Sequence, residues 1–225
     1  MPAAAADDGE IRLHLGCGRR YLDGYVNVDF PPSEHTVQAD LTADIHADIV
    51  SLRYLPATVG EIRLHHVFEH FDRPTALALL CRWRDWLRPG GTLRIETPDV
   101  SRSVLLLASP FTSYGDKQQV LRHLFGSHES HWAAHLDGWS AERFRRTLVA
   151  LGYVDVRPTH TRWGVLRNVE VEARKPLRDS GARVYEPAVR DLLAASLVTV
   201  DGETAQSELE LLEVWMDKWR ALYGR

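Results

Sequence analysis

Leu13-His14-Leu15-Gly16-Cys17-Gly18 carries an apolar run into two glycines one residue apart, and Asp29 ends the next apolar run, Tyr25-Val26-Asn27-Val28. A strand that stops in a Gly-x-Gly turn brings backbone close to a ligand with no side chain in the way. An acid at the tip of the neighbouring strand can accept both hydroxyls of a ribose. The spacing is short: ten residues lie between Gly18 and Asp29, against about 20 in a dinucleotide fingerprint. A crossover helix hardly fits there. Arg19 to Gly24 is therefore expected as a turn or a single helical turn, which argues against an ordinary NAD site.

Outward from this turn, strands and helices alternate. Ile11 to Leu15 reads as a buried strand, and Pro31 to Asp48 is irregular. Glu61 to Val67 is another strand, followed by a helix from about Pro74 to Leu87 with Leu77, Leu80, Cys81 and Leu87 at helical spacing. Leu87-Arg88-Pro89-Gly90-Gly91 is expected to stop that helix in a turn, and Thr92 to Thr97 alternates like a strand. Val100–Ala108 and Asp116–Phe125 read as helices. Ser140 is a good N-cap for a helix carrying Phe144, Leu148 and Leu151 and ending at Gly152. Tyr153–Thr159 and Val169–Ala173 read as an antiparallel pair joined by a nine-residue loop. Such alternation predicts an α/β fold around a mostly parallel sheet, with ligands at the carboxyl ends of the strands.

Residues 1–9 read as a flexible tail, 10–175 as the main domain, and 176–225 as a linker and helical extension. The last helix carries Leu209, Leu212, Trp215, Trp219 and Leu222 at spacings of three or four, a stripe suited to core packing or a homodimer seam. With 225 residues, 44% hydrophobic and 26% charged, the chain can bury a full core. Its 27 basic against 31 acidic residues, net −4, give no electrostatic reason to bind nucleic acid or an anionic membrane. Cys17 and Cys81 stand alone, without disulfide or metal spacing, as in a reducing compartment. No basic-then-apolar leader and no membrane-length apolar run is visible, so the expected location is cytoplasmic.

Four segments in order, Leu13–Gly18, Asn27-Val28-Asp29, His66-Val67-Phe68-Glu69-His70 and Leu87-Arg88-Pro89-Gly90-Gly91, resemble the class I S-adenosylmethionine-dependent methyltransferases, in a compact branch of that family. The resemblance covers about residues 10–175. It implies a Rossmann-like, seven-stranded sheet with an antiparallel last strand, and S-adenosylmethionine as cofactor with S-adenosylhomocysteine as product. It assigns Gly16, Cys17 and Gly18 to the methionine and ribose part, Asp29 to the ribose hydroxyls, Asp48 and Ile49 to the adenine, and His65 and His66 to the segment beside the methionine end. It further implies methyl transfer to a small-molecule acceptor, foremost at a hydroxyl of a glycoside or secondary metabolite. The alternatives are N- or C-methylation on the same scaffold, or a non-catalytic cofactor-binding partner protein.

The segment from Gly126 to Ser140 holds His128, His131 and His135 with Glu129, Asp137, Trp132 and Trp139. On a helix the three histidines would share a face, but the glycines and the missing apolar pattern argue against a helix, so no metal is assigned. A substrate lid with His135 as acceptor-side base is the preferred functional reading, with His131 and His66 as alternates. The bland alternative has His135 bonded to loop backbone while Trp132 and Trp139 fill the core. Glu69-His70 is expected to cap and anchor the following helix.

Overall fold

The computed structural model describes residues 10–37, 40–178 and 184–224. The expected tail 1–9, and residues 179–183 of the expected linker, lie outside the described residues. A seven-stranded sheet forms the centre, in the order β3-β2-β1-β4-β5-β7-β6. Its strands are β1 (Ile11–Leu15), β2 (Val26–Asp29), β3 (Ile45–His46), β4 (Val59–His65), β5 (Leu87–Pro98), β6 (Val154–Trp163) and β7 (Leu166–Arg174). The first five pair in parallel, and β7 runs antiparallel to both β5 and β6. This is the expected Rossmann-like arrangement.

The crossover from β1 to β2 contains no helix, as the short spacing required. Buried Asn27 holds it in place of one. Its side-chain oxygen accepts from Leu22 N (2.9 Å) and from His14 Nδ1 (3.0 Å), while its amide donates to Leu22 O, Tyr25 O and Asp44 Oδ2. All polar positions of a fully buried amide are thereby paired, which the interior demands.

The long crossover from β4 to β5 carries α1 (Arg73–Trp86), started by Asp72, whose carboxylate accepts from Thr75 N, with Pro74 in the first turn. α1 is buried along almost its whole surface. Even Arg84 is inside, donating to Gly152 O and Tyr185 Oη, and Arg82 donates to Val50 O. Leu87–Gly91, expected as a turn, is instead the start of β5: Val59 faces Leu87 but Glu61 faces Thr92, so residues 88–91 form a bulge in the strand, with Gly90 at φ +79° and Gly90 N donating to Lys175 O.

α2 (Val100–Ala108), α3 (Tyr114–Phe125) and α4 (Ala141–Ala150) follow, and Ser140 does cap α4, accepting from Arg143 N. The nine-residue loop expected between the last two strands is absent. β6 and β7 run on to Trp163 and Leu166 and meet in a two-residue turn at Gly164-Val165. The reason is positional: β6 lies at the sheet edge, so His160, Thr161 and Arg162 continue the strand without the apolar alternation that would reveal it.

The C-terminal segment forms α5 (Glu186–Ala194), a small hairpin of β8 (Thr199–Val200) and β9 (Glu203–Thr204), and α6 (Gln206–Tyr223). α6 packs on α1, with Leu212, Met216 and Trp219 buried in the same core as the sheet. Of that stripe, Leu212 and Trp219 pack into the core, while Leu209 stays exposed. Among the described residues no helix is long and apolar enough to cross a membrane.

Candidate active site

The carboxyl ends of β1, β2, β4 and β5 bring the predicted residues to one edge of the sheet. Gly16 and Gly18 both have positive φ, +69° and +52°. A Cβ on Gly16 would sit 2.2 Å from Val67 Cγ2, so glycine is needed for the close approach of the β1 and β4 tips. The N–H groups of the turn face inward rather than outward. Gly16 N and Cys17 N both donate to Val28 O, and Gly18 N donates to Asp29 Oδ2 at 2.6 Å. The turn thus clamps Asp29 to the end of β1. Cys17 is buried, and burial, aided by the Asp29 charge, pushes its thiol up to about 12, which removes it as a nucleophile.

Asp29 is 7% exposed. Its Oδ1 accepts from Phe30 N, and His35 Nε2 lies 3.3 Å from the same atom. Trp132 covers His35, with ring centres 5.0 Å apart, and its Nε1 donates to Glu34 O. Thr36 and Ser130 join the same two loops through their hydroxyls. The histidine-rich segment is therefore laid over the tip of β2. Asp48 caps a short 3-10 turn, accepting from Val50 N, and Ile49 is part of the core. Both follow β3, whose His46 is paired with Asp29. His65, at the end of β4, receives a hydrogen bond from Arg63 Nε and meets His14 edge-on. Burial, and then the Arg63 charge, lowers its pKa to about 4, so it is neutral at pH 7.

Glu69 does not cap the following helix. Asp72 caps α1, and Glu69 instead turns into the protein, 2% exposed. His66 Nδ1 lies 3.3 Å from its Oε1, and His66 Nε2 lies 3.4 Å from Glu96 Oε1. Burial alone would lower the pKa of His66, but the two carboxylates outweigh it and raise it to about 9. Burial would likewise raise Glu69, yet the neighbouring histidines hold it below the usual carboxylate range. His66, itself at φ +53°, packs at a tilt against Trp163 at 4.6 Å and against His123 at 5.5 Å. His135 Nε2 approaches Glu69 Oε1 to 3.8 Å, and its ring meets His70 edge-on at 4.6 Å.

Of the three candidate catalytic histidines, His66 and His135 thus converge on Glu69, while His131 is exposed on the loop and joins neither. His128 turns away to Phe125 O, and Asp137 is taken by Arg143. Trp139 fills the core, stacked on Phe144 and close to Phe68. Glu69, His70, Glu96, His123 and Asn168, whose amide donates to Glu96, were not singled out from the sequence as site residues. The i, i+3 spacing of His66 and Glu69 was the available signal, since a single turn places both on one side. Near the same edge, His160 Nδ1 pairs with Asp99 at 3.0 Å, beside a cavity of about 350 Å³ lined by Arg102, Thr161, Arg162 and Arg167.

No family model matches the sequence, and no curated protein matches it. Solved structures do match it. One is a SAM (S-adenosylmethionine)-dependent methyltransferase from Archaeoglobus fulgidus, with a TM-score of 0.52 at 16% identity over 74% of this chain and 87% of that one. Others are a SAM-dependent methyltransferase from Methanosarcina mazei (0.48, 13%, 75% and 93%) and phosphoethanolamine N-methyltransferase 2 of Haemonchus contortus with S-adenosylmethionine bound (0.48, 13%, 78% and 50%). Several matched structures are longer, and the chain spans 50–63% of their length. The Archaeoglobus protein carries the comparison, and at that identity it speaks to architecture. Strand order, the antiparallel last strands and this likeness agree: the chain has the class I S-adenosylmethionine-dependent methyltransferase fold.

Proposed function

We propose that the chain is an S-adenosylmethionine-dependent methyltransferase that methylates a hydroxyl of a small-molecule acceptor. The observation that carries this reading is Asp29, a buried carboxylate at the tip of β2, clamped by Gly18 N beside the Gly16–Gly18 turn. A carboxylate held by one backbone donor on each oxygen keeps lone pairs for a ribose diol. Gly16, Cys17 and Gly18 would border the methionine and ribose, Asp48 and Ile49 the adenine, and His65 the methionine end. Because His35 sits against Asp29 under Trp132, the ribose reaches the carboxylate only when His35 withdraws. The loops around residues 30–37 and 127–135 thus gate the site.

When bound, the cofactor supplies a methyl on a sulfonium, ready for in-line displacement. The work left to the protein is alignment of donor and acceptor, which supplies much of the acceleration in such reactions. His135 is the acceptor-side group of this reading, because it enters the β4 edge on the loop that covers the site. There it would take the proton that the attacking hydroxyl loses. His66, held between Glu69 and Glu96, fixes the charge around it.

The test is incubation of the purified protein with methyl-labelled S-adenosylmethionine and a panel of hydroxylated metabolites. Acceptor-dependent formation of S-adenosylhomocysteine with a labelled ether product is expected. Product labelled at nitrogen or carbon would move the assignment to another acceptor atom. A protein that binds neither S-adenosylmethionine nor its product would end the reading.

A further inference from the structure

Sequence spacing gives His128, His131 and His135 as a conceivable metal trio to which no metal is assigned, and the fold does not assemble them. It assembles a different trio. One potential ligand atom from each of Glu69, His70 and His135 lies within 4.8 Å of the other two, and among the described residues no other group of three or more does so. We propose that these three side chains form a binding site for one divalent transition-metal ion, of the zinc or ferrous class.

Three features of the trio support this. Glu69 is buried; its Oε1 meets only the imidazoles of His66 (3.3 Å) and His135 (3.8 Å), and its Oε2 accepts no hydrogen bond, which leaves a carboxylate oxygen free to ligate an ion. His70 is already oriented: its Nδ1 lies 3.1 Å from Ala134 O, so a neutral ring donates there and keeps the lone pair on Nε2. A backbone carbonyl fixing the tautomer in this way from the far side of the ring is the usual companion of a histidine ligand. His135 presents Nε2 to Glu69, and its ring lies at 87° to that of His70, so the two imidazoles approach from different directions instead of stacking.

The backbone holds these segments together before any ion arrives. Leu136 N and Asp137 N both donate to Glu69 O (2.8 and 3.2 Å), and His135 N donates to Phe125 O. An ion about 2.0–2.2 Å from each ligand needs ligand atoms roughly 3–3.5 Å apart. The trio therefore has to close by about an ångström, within the reach of side-chain rotation. Two imidazoles and one carboxylate leave coordination positions open, the donor set of catalytic zinc and non-haem iron sites and unlike the all-oxygen shells of calcium or magnesium. The site does not depend on the proposed methyl transfer. A loaded ion would occupy the His135 lone pair, so in the loaded protein that residue would hold metal rather than a proton.

The full chain, stripped with a chelator, is titrated with zinc by calorimetry and with cobalt(II) by visible absorption. One equivalent is expected, with cobalt bands of a low-symmetry nitrogen–oxygen site. Glu69→Gln and His135→Asn should each weaken binding by about 100-fold or more, at or beyond the upper end for losing an outer-shell partner. His128→Ala and His131→Ala should leave it unchanged. If Glu69→Gln fails to fold, His135→Asn alone carries the comparison, with circular dichroism confirming its fold. Absence of stoichiometric binding by the wild type overturns the site, as does binding that survives His135→Asn or is lost with His128→Ala. A protein that binds S-adenosylmethionine but no metal would refute this inference and leave the proposed function standing; metal binding without cofactor binding would do the reverse.

Discussion

Gly16→Ala tests the packing that shapes the turn. At φ +69° a residue with a Cβ costs about 1–2 kcal/mol relative to glycine. The new methyl would also lie 2.2 Å from Val67 Cγ2 and 3.2 Å from Val67 Cβ and Cγ1, where carbon pairs ordinarily rest at about 3.5–4.0 Å. Val67 sits between His66, ion-paired to two carboxylates, and fully buried Phe68, so it has little room to retreat. Relief of such overpacking typically costs about 1–3 kcal/mol. The sum is a loss of roughly 2–5 kcal/mol. Urea unfolding of the wild type, Gly16→Ala, Val67→Ala and the double variant separates the two parts. Trimming Val67 removes the clash but not the backbone strain, so the double variant should recover about 1–3 kcal/mol over additivity and retain a deficit of about 1–2 kcal/mol from φ. Strict additivity, or a Gly16→Ala protein within about 0.5 kcal/mol of wild type, would refute the contact.

Other outcomes follow from the same structure. Asn27→Leu leaves Leu22 N and the buried His14 ring without their partner and should cost about 2–4 kcal/mol in urea unfolding; a near-neutral result would show that the short crossover holds itself. Trp139→Ala empties the space between Phe68 and Phe144 and should cost about 3–5 kcal/mol. His65 is neutral in the fold because burial and Arg63 depress its pKa to about 4, below the unfolded value near 6.5. Its contribution is complete above pH 6.5 and is lost as the pH falls towards 4. A His65→Gln protein should therefore lose stability over that window less steeply, by up to about 1.4 kcal/mol per pH unit, and identical slopes would contradict the assignment. His135→Ala should lower turnover by about 10²–10⁴-fold with cofactor affinity nearly unchanged; unaltered turnover would return that histidine to a purely structural role.

What was legible in the sequence was local. The Gly16–Gly18 turn, the helix-free crossover, the cap at Ser140, the Pro74 first turn of α1, and the parallel strands are each written within a dozen residues, by glycine conformation, spacing and apolar period. What was not legible depends on partners distant in sequence. Glu69 looked like a helix anchor because it precedes α1, but Asp72 takes the cap, and the partner of Glu69 on the other side, His135, arrives from a loop 66 positions later. Glu96 alternates like any polar strand residue until β5 is laid beside β4 and its carboxylate meets His66. The β6 edge hid its last residues because one face of an edge strand is wet. The turn's N–H groups were expected to face a ligand, yet they are spent on Val28 O and Asp29, because the strand tips lacking a crossover helix need that clamp.

The central claim is that the β1 turn and Asp29 hold S-adenosylmethionine, and calorimetric titration with S-adenosylhomocysteine tests it most directly. Wild type should bind it far more tightly than NAD. Asp29→Ala should lose about 1.5–3 kcal/mol, the scale of hydrogen bonds to a charged group and about 10–150-fold in affinity. Asp29→Asn, which keeps the shape, should also be weakened. Equal affinity in wild type and Asp29→Ala, or a preference for NAD, would contradict the account.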